Sequence, residues 1–135
     1  MSLGGKRPET QNTDIPADGW PALSTGEFRS LRRIAFTFDE NSIAMAVSIA
    51  AQAVQNQLAD IDRSKLTGGL LMAYKRAVYS RAHADLLPEF ATQSRRDEAE
   101  NAAEDAPEQD ARFRAQSNRD IALILGRSAN GVELI

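Results

Sequence analysis

The sequence predicts an all-α protein, a helical bundle of about four helices. Apolar residues recur at three- and four-residue spacing along several long segments, as on one face of a helix. No strand signal is found. A hydrophobic content of 42% over 135 residues is enough for one compact core, so we expect a single domain.

The first eighteen residues are predicted to form a disordered arm, followed by a single helical domain over residues 19–135. The arm is polar, contains two glycines and two prolines, and has no periodic apolar pattern. We expect order to begin near Trp20, because this lone tryptophan can anchor the chain on the core.

A short first helix is predicted to start at Ser24 or Thr25 and to end near Ile34. Its apolar stripe consists of Phe28, Leu31 and Ile34. Phe36 and Phe38 then alternate with polar residues, and we expect both rings to fill the core from a connector.

The second helix has the clearest pattern, with Asp39, Asn41 and Ser42 as candidate N-caps. Its stripe advances by three or four residues through Ile43, Val47, Ala50, Val54, Leu58 and Ile61. About twenty residues at 1.5 Å each predict a rod of about 30 Å.

A connector ending in Gly68 and Gly69 leads to a third helix, expected from about Leu70 to Phe90. Its stripe is formed by Leu71, Tyr74, Val78, Ala82 and Leu86. Pro88 is predicted to kink or end this helix.

The segment 94–111 is strongly acidic and is predicted to be a solvated helix or a mobile loop. Pro107 would either kink this segment or lie in the first turn of a new helix. The last helix is better defined, and Gly126 is a suitable C-cap for it. Its inward residues are expected to be Phe113, Ile121, Ile124 and Leu125.

Composition argues against several functional classes. The absence of cysteine excludes a disulfide scaffold, a thiolate metal site and a cysteine nucleophile. Together with the lack of a signal-peptide pattern, this suits a cytosolic protein. No apolar run approaches the roughly 18 residues that span a bilayer, so no membrane partner is expected. The net charge of −3 gives no support to a general nucleic-acid binder.

No catalytic, metal or cofactor site is predicted, so we expect a protein that is not an enzyme. His83 is the only histidine. It could pair with Tyr79 or Asp85, but a polar residue at the edge of a packed face is favoured. It lacks the glutamate three residues earlier that a carboxylate metal site in a bundle requires. Lys75, Arg76 and Arg81 form either a solvated face or a contact to an acidic partner.

Residues 120–132 resemble the core of a helix-turn-helix, with Ile-Ala-x-x-Leu-Gly followed by a serine and a valine. A recognition helix from Ala129 would need about ten residues to lie in the major groove, and only seven remain, Ala129 included. A small DNA-binding regulator that uses residues 117–135 is therefore the alternative hypothesis.

The closing residues Gly131, Val132, Glu133, Leu134 and Ile135 form an apolar tail. Leaving a large aliphatic side chain in water forgoes roughly 1.5–3 kcal/mol of burial free energy. We therefore expect the tail to dock on its own domain, on a neighbouring copy or on a partner.

Several motifs together resemble the phage head completion proteins of the gpL type. Residues 74–79 read Tyr-Lys-Arg-Ala-Val-Tyr, and Ala82, Ala84 and Leu86-Leu87 follow at the spacing of that family. Residues 110–113, 120–121 and 125–127 and the closing Val-Glu-Leu-Ile are similar to the end of the family. Residues 18–21 are similar to its Asp-Gly-aromatic-Pro start.

The resemblance implies a structural virion protein that completes the packaged head and forms the head-tail connector beneath the portal. Its implied partners are the portal protein, other connector proteins and further copies of itself in a ring, with packaged DNA close by. It would be located in the virion neck after assembly in the host bacterial cytoplasm. We expect the acidic residues of 97–110 to face the DNA channel. The expected partner-binding residues are Val132, Glu133, Leu134 and Ile135.

Overall fold

The computed structural model describes residues 11–94 and 100–126, and four α-helices account for most of them. The helices are α1 (Thr25–Arg32), α2 (Glu40–Gln57), α3 (Gly68–Ser94) and α4 (Glu100–Leu125). Two short strands, β1 (Asp14–Ile15) and β2 (Leu23–Ser24), precede α1, and a single 3-10 turn (Arg63–Lys65) separates α2 from α3. The predicted all-α class is confirmed.

The first strand, β1, lies within residues 1–18, the predicted arm. Ile15 pairs with Leu23 in an antiparallel ladder, and both side chains are buried. The N–H of Thr13 donates to Oγ1 of Thr25 at 2.7 Å. Two residues per strand are too few to give a periodic signal, so the sequence pattern missed them. Residues 1–10, the rest of the predicted arm, lie outside the described part of the chain.

The helix starts are fixed by side-chain caps. Oγ of Ser24 accepts from the N–H of Glu27 at 3.0 Å and caps α1, as predicted. Of the three candidate caps for α2, Asp39 takes the role and accepts from the N–H of Ser42 at 2.8 Å. Each cap satisfies an N–H that has no partner inside its helix.

The core is built around α3, which packs against α2 on one side and against α4 on another. Tyr74 and Tyr79 are its largest buried side chains. The ring of Tyr74 stacks on Trp20 with centroids 5.7 Å apart, and its hydroxyl accepts from Nε2 of Gln55 at 3.0 Å. The hydroxyl of Tyr79 donates to Glu27 at 2.6 Å. Trp20 therefore anchors the start of the domain, as the sequence predicts.

Two prolines lie inside helices. Pro88 does not end α3, which continues to Ser94, and Pro107 lies within α4. Both rings are on exposed parts of the surface, where water can take the place of the backbone hydrogen bond that proline cannot make. The acidic segment therefore belongs to α4 from residue 100 onward, and Pro107 starts no new helix.

The predictions for Leu31 and Phe36 are wrong, because the two side chains are 61% and 66% exposed. The buried side of α1 carries Thr25, Phe28 and Arg29, and on a helical wheel Leu31 lies about 110° away from its centre. Phe38, the partner of Phe36 in the alternating pattern, is the ring that packs inward, with its centroid 4.0 Å from that of Phe90.

Candidate docking surface

The predicted partner-binding residues Val132, Glu133, Leu134 and Ile135 lie outside the described residues. The structure follows the chain to Gly126, which has a φ of 75° and whose N–H donates to the carbonyl of Leu123 at 3.1 Å. This left-handed glycine is the predicted C-cap of α4. The apolar tail therefore follows the C-terminal end of α4.

The end of α4 is held on α3 by buried polar contacts. Asp120 is buried and receives two hydrogen bonds from the guanidinium of Arg76, Nε to Oδ2 and Nη2 to Oδ1, both 2.9 Å. Oγ of Ser117, also buried, donates to the carbonyl of Ala77 at 2.8 Å. These contacts set an antiparallel register, so the start of α3 lies beside the end of α4.

Two large apolar side chains are exposed at this same end of the helix pair. Met72 lies one turn before Arg76 on α3 and is 56% exposed, and Leu123 lies one turn after Asp120 on α4 and is 53% exposed. The chain leaves α4 three residues after Leu123. This end of the molecule therefore offers apolar surface close to the C-terminal end of α4.

The predicted basic cluster on α3 is mostly used within the molecule. Nζ of Lys75 is 2.9 Å from Oε2 of Glu27 on α1, and Arg76 binds Asp120. Arg81 is half-buried. Two of the three cations thus join helices, which argues against the cluster as one contact to an acidic partner.

His83 is not paired with either of the residues that a catalytic role would require. Its Nδ1 accepts from Nε of Arg32 at 3.0 Å, and its ring lies over Phe113 with centroids 4.6 Å apart. Burial, followed by the nearby charge of Arg32, lowers the pKa of His83 to about 4. Tyr79 is bonded to Glu27, and Asp85 to Arg114. His83 is therefore a neutral acceptor in a packing contact.

The sequence analysis missed an ion pair between Arg29 of α1 and Glu40 of α2. Nη2 of Arg29 is 3.0 Å from Oε1 of Glu40 and also donates to the carbonyl of Phe38 at 2.8 Å. Burial alone would raise the pKa of Glu40, but hydrogen bonds from Thr13, Thr25 and Arg29 lower it below its ordinary value. This pair joins the arm, α1, the connector and α2.

A basic cleft was also missed, because its residues come from three helices. We name it the arginine cleft, and its volume is about 620 Å³. Its lining comprises Arg32, Arg76, Arg112, Phe113, Ala115, Gln116 and Arg119. The guanidinium of Arg32 lies 4.7 Å above the ring of Phe113. Burial, followed by the charge of Arg76, lowers the pKa of Arg32.

The first part of the predicted helix-turn-helix belongs to a long helix. Residues 117–125 are the last third of α4, with Ser117, Asp120 and Ile121 buried. The turn and the recognition segment, residues 127–135, lie outside the described part of the chain.

Within the described ranges, no group of three or more His, Cys, Asp or Glu side chains could hold a metal ion. Over the same ranges, every buried side-chain nitrogen or oxygen has a hydrogen-bond partner. None of the helices described there is long and apolar enough to cross a membrane.

The fold and this surface define a small helical protein with exposed apolar and charged surfaces on α3 and α4. Residues 67–135, just over half of the chain, match the family model for the phage head completion protein (GPL). The chain therefore belongs to the phage head completion protein (GPL) family. It is a structural phage protein of head assembly, which places it in the virion among other head and tail proteins. No curated protein and no solved structure matched the chain.

Proposed function

We propose that this protein completes the packaged phage head by forming part of the connector beneath the portal, without catalysing a reaction. The observation that supports this most is the position of the family match. It covers α3, α4 and the apolar tail, the part of the chain that carries the exposed Met72 and Leu123 and most of the arginine cleft. The features most suited to docking thus lie within the matched region.

Val132, Glu133, Leu134 and Ile135 are the proposed docking peptide, which binds a portal subunit or a neighbouring copy. An extended segment can add to an exposed strand of a partner through backbone hydrogen bonds, while alternate side chains fill apolar pockets. In a ring of copies, many weak contacts act together, so the assembly binds firmly even if each tail binds weakly. In this position the ring lies in the virion neck, close to packaged DNA.

Removal of residues 132–135 tests the proposal. We expect the shortened protein to remain folded, because residues between Ile15 and Ile121 form a core packed around α3. We expect it to fail to join heads to tails in an in vitro completion assay. A paired comparison sharpens the test: Leu134→Asp with Ile135→Asp should abolish joining, whereas Leu134→Met with Ile135→Val should preserve it.

Thermal unfolding of the shortened protein separates a docking role from a core role. Joining at the wild-type yield by the shortened protein would contradict the docking role of the tail. Loss of cooperative unfolding would show instead that the tail belongs to the core.

A further inference from the structure

The arginine cleft carries more positive charge than the described residues around it neutralise. Of its four arginines, Arg76 alone forms an ion pair within the described residues, with the buried Asp120. Arg112 and Arg119 are exposed, and Arg32 is half-buried against an imidazole that carries no charge. The cleft is therefore a concentrated basic surface in a chain whose net charge is −3.

The guanidinium groups of the cleft also keep N–H donors for a ligand. An arginine side chain has about five N–H groups. Within the described residues, Arg32 donates only through Nε, to His83, and Arg119 donates only through Nη2, to Gln116. Burial, followed by the charge of Arg76, lowers the pKa of Arg32. An anion placed in the cleft would therefore gain hydrogen bonds and would also offset the repulsion between these two arginines.

The spacing of the exposed arginines suits a row of phosphates. Arg112 and Arg119 lie on the same side of α4, because seven residues are almost two whole turns and span about 10 Å. Each strand of duplex DNA carries one phosphate per about 3.4 Å of its axis, so about three phosphates face such a length. All the cations of the cleft are arginines, whose planar groups bind phosphate through two parallel hydrogen bonds.

We propose that the arginine cleft binds the phosphate backbone of duplex DNA without reading the base sequence. The inference rests on the proposed function, which puts the protein close to packaged DNA, and deepens it by naming the surface that would touch the duplex. Phosphate contacts position a protein on DNA but carry no sequence information. This role differs from that of the helix-turn-helix alternative, because the lining of the cleft ends at Arg119.

Duplex DNA fits the cleft better than an acidic protein segment does. Phosphates recur at short, regular distances, so any position of the duplex places anions near the guanidinium groups, whereas a protein must supply carboxylates at matching spacing. Protein interfaces usually also bury an apolar or aromatic anchor. Phe113, the only aromatic ring of the lining, is already in contact with Arg32 and His83.

Glu108 limits the contact at one end of the cleft. Its side chain is exposed and lies one turn before Arg112 on α4. A carboxylate at this position repels phosphates, so the contact is short and its affinity is low. Weak contacts to the backbone alone allow a protein and a duplex to slide along each other.

Removal of charge from the cleft tests the inference. Arg112→Gln with Arg119→Gln should weaken binding of the full chain to a mixed-sequence duplex of about 30 bp at least tenfold at about 50 mM salt, measured by fluorescence anisotropy. Arg33→Gln with Lys65→Gln is the matched control, because it removes the same charge from exposed residues that do not line the cleft. It should leave the affinity within threefold of wild type.

The dependence of binding on salt measures the number of phosphates in the contact. The logarithm of the binding constant falls by about 0.9 per neutralised phosphate for each tenfold rise in salt, so the wild-type slope should lie between about −2 and −3. The cleft variant should have a slope no steeper than about −1. Two duplexes of unrelated sequence should bind within threefold of each other. Circular dichroism should show unchanged helix content in each variant.

Glu108→Gln changes the same contact in the opposite direction. It should strengthen duplex binding at least twofold at low salt, because it removes a negative charge beside Arg112 without adding a cation. Weaker binding by this variant would contradict the position of the duplex along α4.

Several results would overturn the inference. One is a wild-type chain that binds no duplex up to about 100 μM, the weak end of non-specific affinities. Another is a cleft variant that binds as well as wild type. Tighter binding of an acidic peptide than of the duplex, lost in the cleft variant, would assign the cleft to a protein partner. A strong preference for one duplex sequence would favour the regulator hypothesis instead.

Head-to-tail joining is scored separately, through the tail, which all these variants retain. A wild-type chain that joins heads to tails and binds no duplex would contradict only this inference. A chain that binds the duplex through the cleft and takes no part in joining would contradict only the proposed function.

Discussion

His83 holds Arg32 in place as an uncharged acceptor. Its Nδ1 receives the guanidinium hydrogen bond, while Phe113 and Phe90 pack against the ring on two sides. Protonation would put two positive charges 3.0 Å apart in a half-buried site. The low pKa of His83 is therefore a property of the contact between α1, α3 and α4.

Stability should consequently fall as the solution becomes mildly acidic. The folded pKa of about 4 lies below the ordinary value of 6.5, so the contribution of neutral His83 is complete above pH 6.5. It declines as the pH falls from 6.5 toward 4, by about 1.4 kcal/mol per pH unit at the steepest, or roughly 2 kcal/mol by pH 5. Urea unfolding at pH 7 and pH 5 measures this loss.

His83→Asn is the control for that prediction, because an amide oxygen can still accept from Arg32 but does not titrate. Its stability should change by less than about 0.5 kcal/mol over the same range, since ordinary carboxylates titrate mostly below pH 5. An equal loss in wild type and variant would assign the pH dependence to other groups.

At the scale of single elements, the attachment of α4 to α3 depends on one asymmetric ion pair. The side chain of Asp120 is 3% exposed and that of Arg76 is 57% exposed. The carboxylate thus lies inside the helix contact and depends on a cation that reaches it from the surface, with Gln116 as its other side-chain donor. Hydrogen bonding to Asp120 raises the pKa of Arg76.

Arg76→Gln should therefore destabilise the protein by about 2–3 kcal/mol, because it leaves a buried carboxylate without its charged partner. The same substitution at Arg119, which is exposed and, among the described residues, bonded only to Gln116, should cost less than about 0.5 kcal/mol. Denaturant unfolding at low protein concentration compares the two. Equal effects would show that the buried position of Asp120 does not set the energetics.

Over the whole molecule, the helices are attached unequally. The helix α3 packs against α2 and α4 and also contacts α1, whereas α4 packs mainly against α3. A local opening can thus release α4 while the packing of α1, α2 and α3 is preserved.

Hydrogen exchange should show that α4 opens more readily than α2 and α3. We expect amides in the middle of α4, around Ser117, to exchange at least tenfold faster than those around Val54 in α2 and Val78 in α3. The described part of α4 buries one apolar side chain, that of Ile121, whereas α2 and α3 carry most of the buried core. Mass spectrometry of exchanged peptides measures the difference. Identical protection across the three helices would instead indicate a single cooperative unit.

The sequence predicted the helices better than it predicted the contacts between them. The stripe from Ile43 to Leu58 and the caps at Ser24 and Asp39 rest on local spacing and hydrogen bonding, and both are present in the structure. Leu31 was misplaced because a helix of two turns leaves the buried direction to its neighbours. Phe36 was misplaced because it lies in the connector after α1, where Phe38 is the ring that packs inward. Of the alternatives for the prolines, an ended α3 and a new helix at Pro107 are excluded, because an exposed ring can be accommodated within a long helix.

The candidate surfaces differ in the same way: one can be predicted from local sequence, and the other depends on how the helices pack. The tail is a run of adjacent residues and can be recognised by eye in the sequence. The arginine cleft joins residues 32, 76 and 112–119, which only the packing of three helices brings together. The local sequence pattern also does not predict the ion pair between Arg29 and Glu40, because this pairing depends on how the connector folds back over α1.

The partners of Tyr74 and Tyr79 have a consequence for any attempt to shorten this protein. Trp20, Glu27 and Gln55, which contact these two phenols, all precede residue 67, where the family match begins. In a fragment limited to residues 67–135, the rings and hydroxyls of Tyr74 and Tyr79 would be exposed to water. We therefore expect that the half of the chain that matches the family does not fold on its own, and that a minimal version must retain the first two helices.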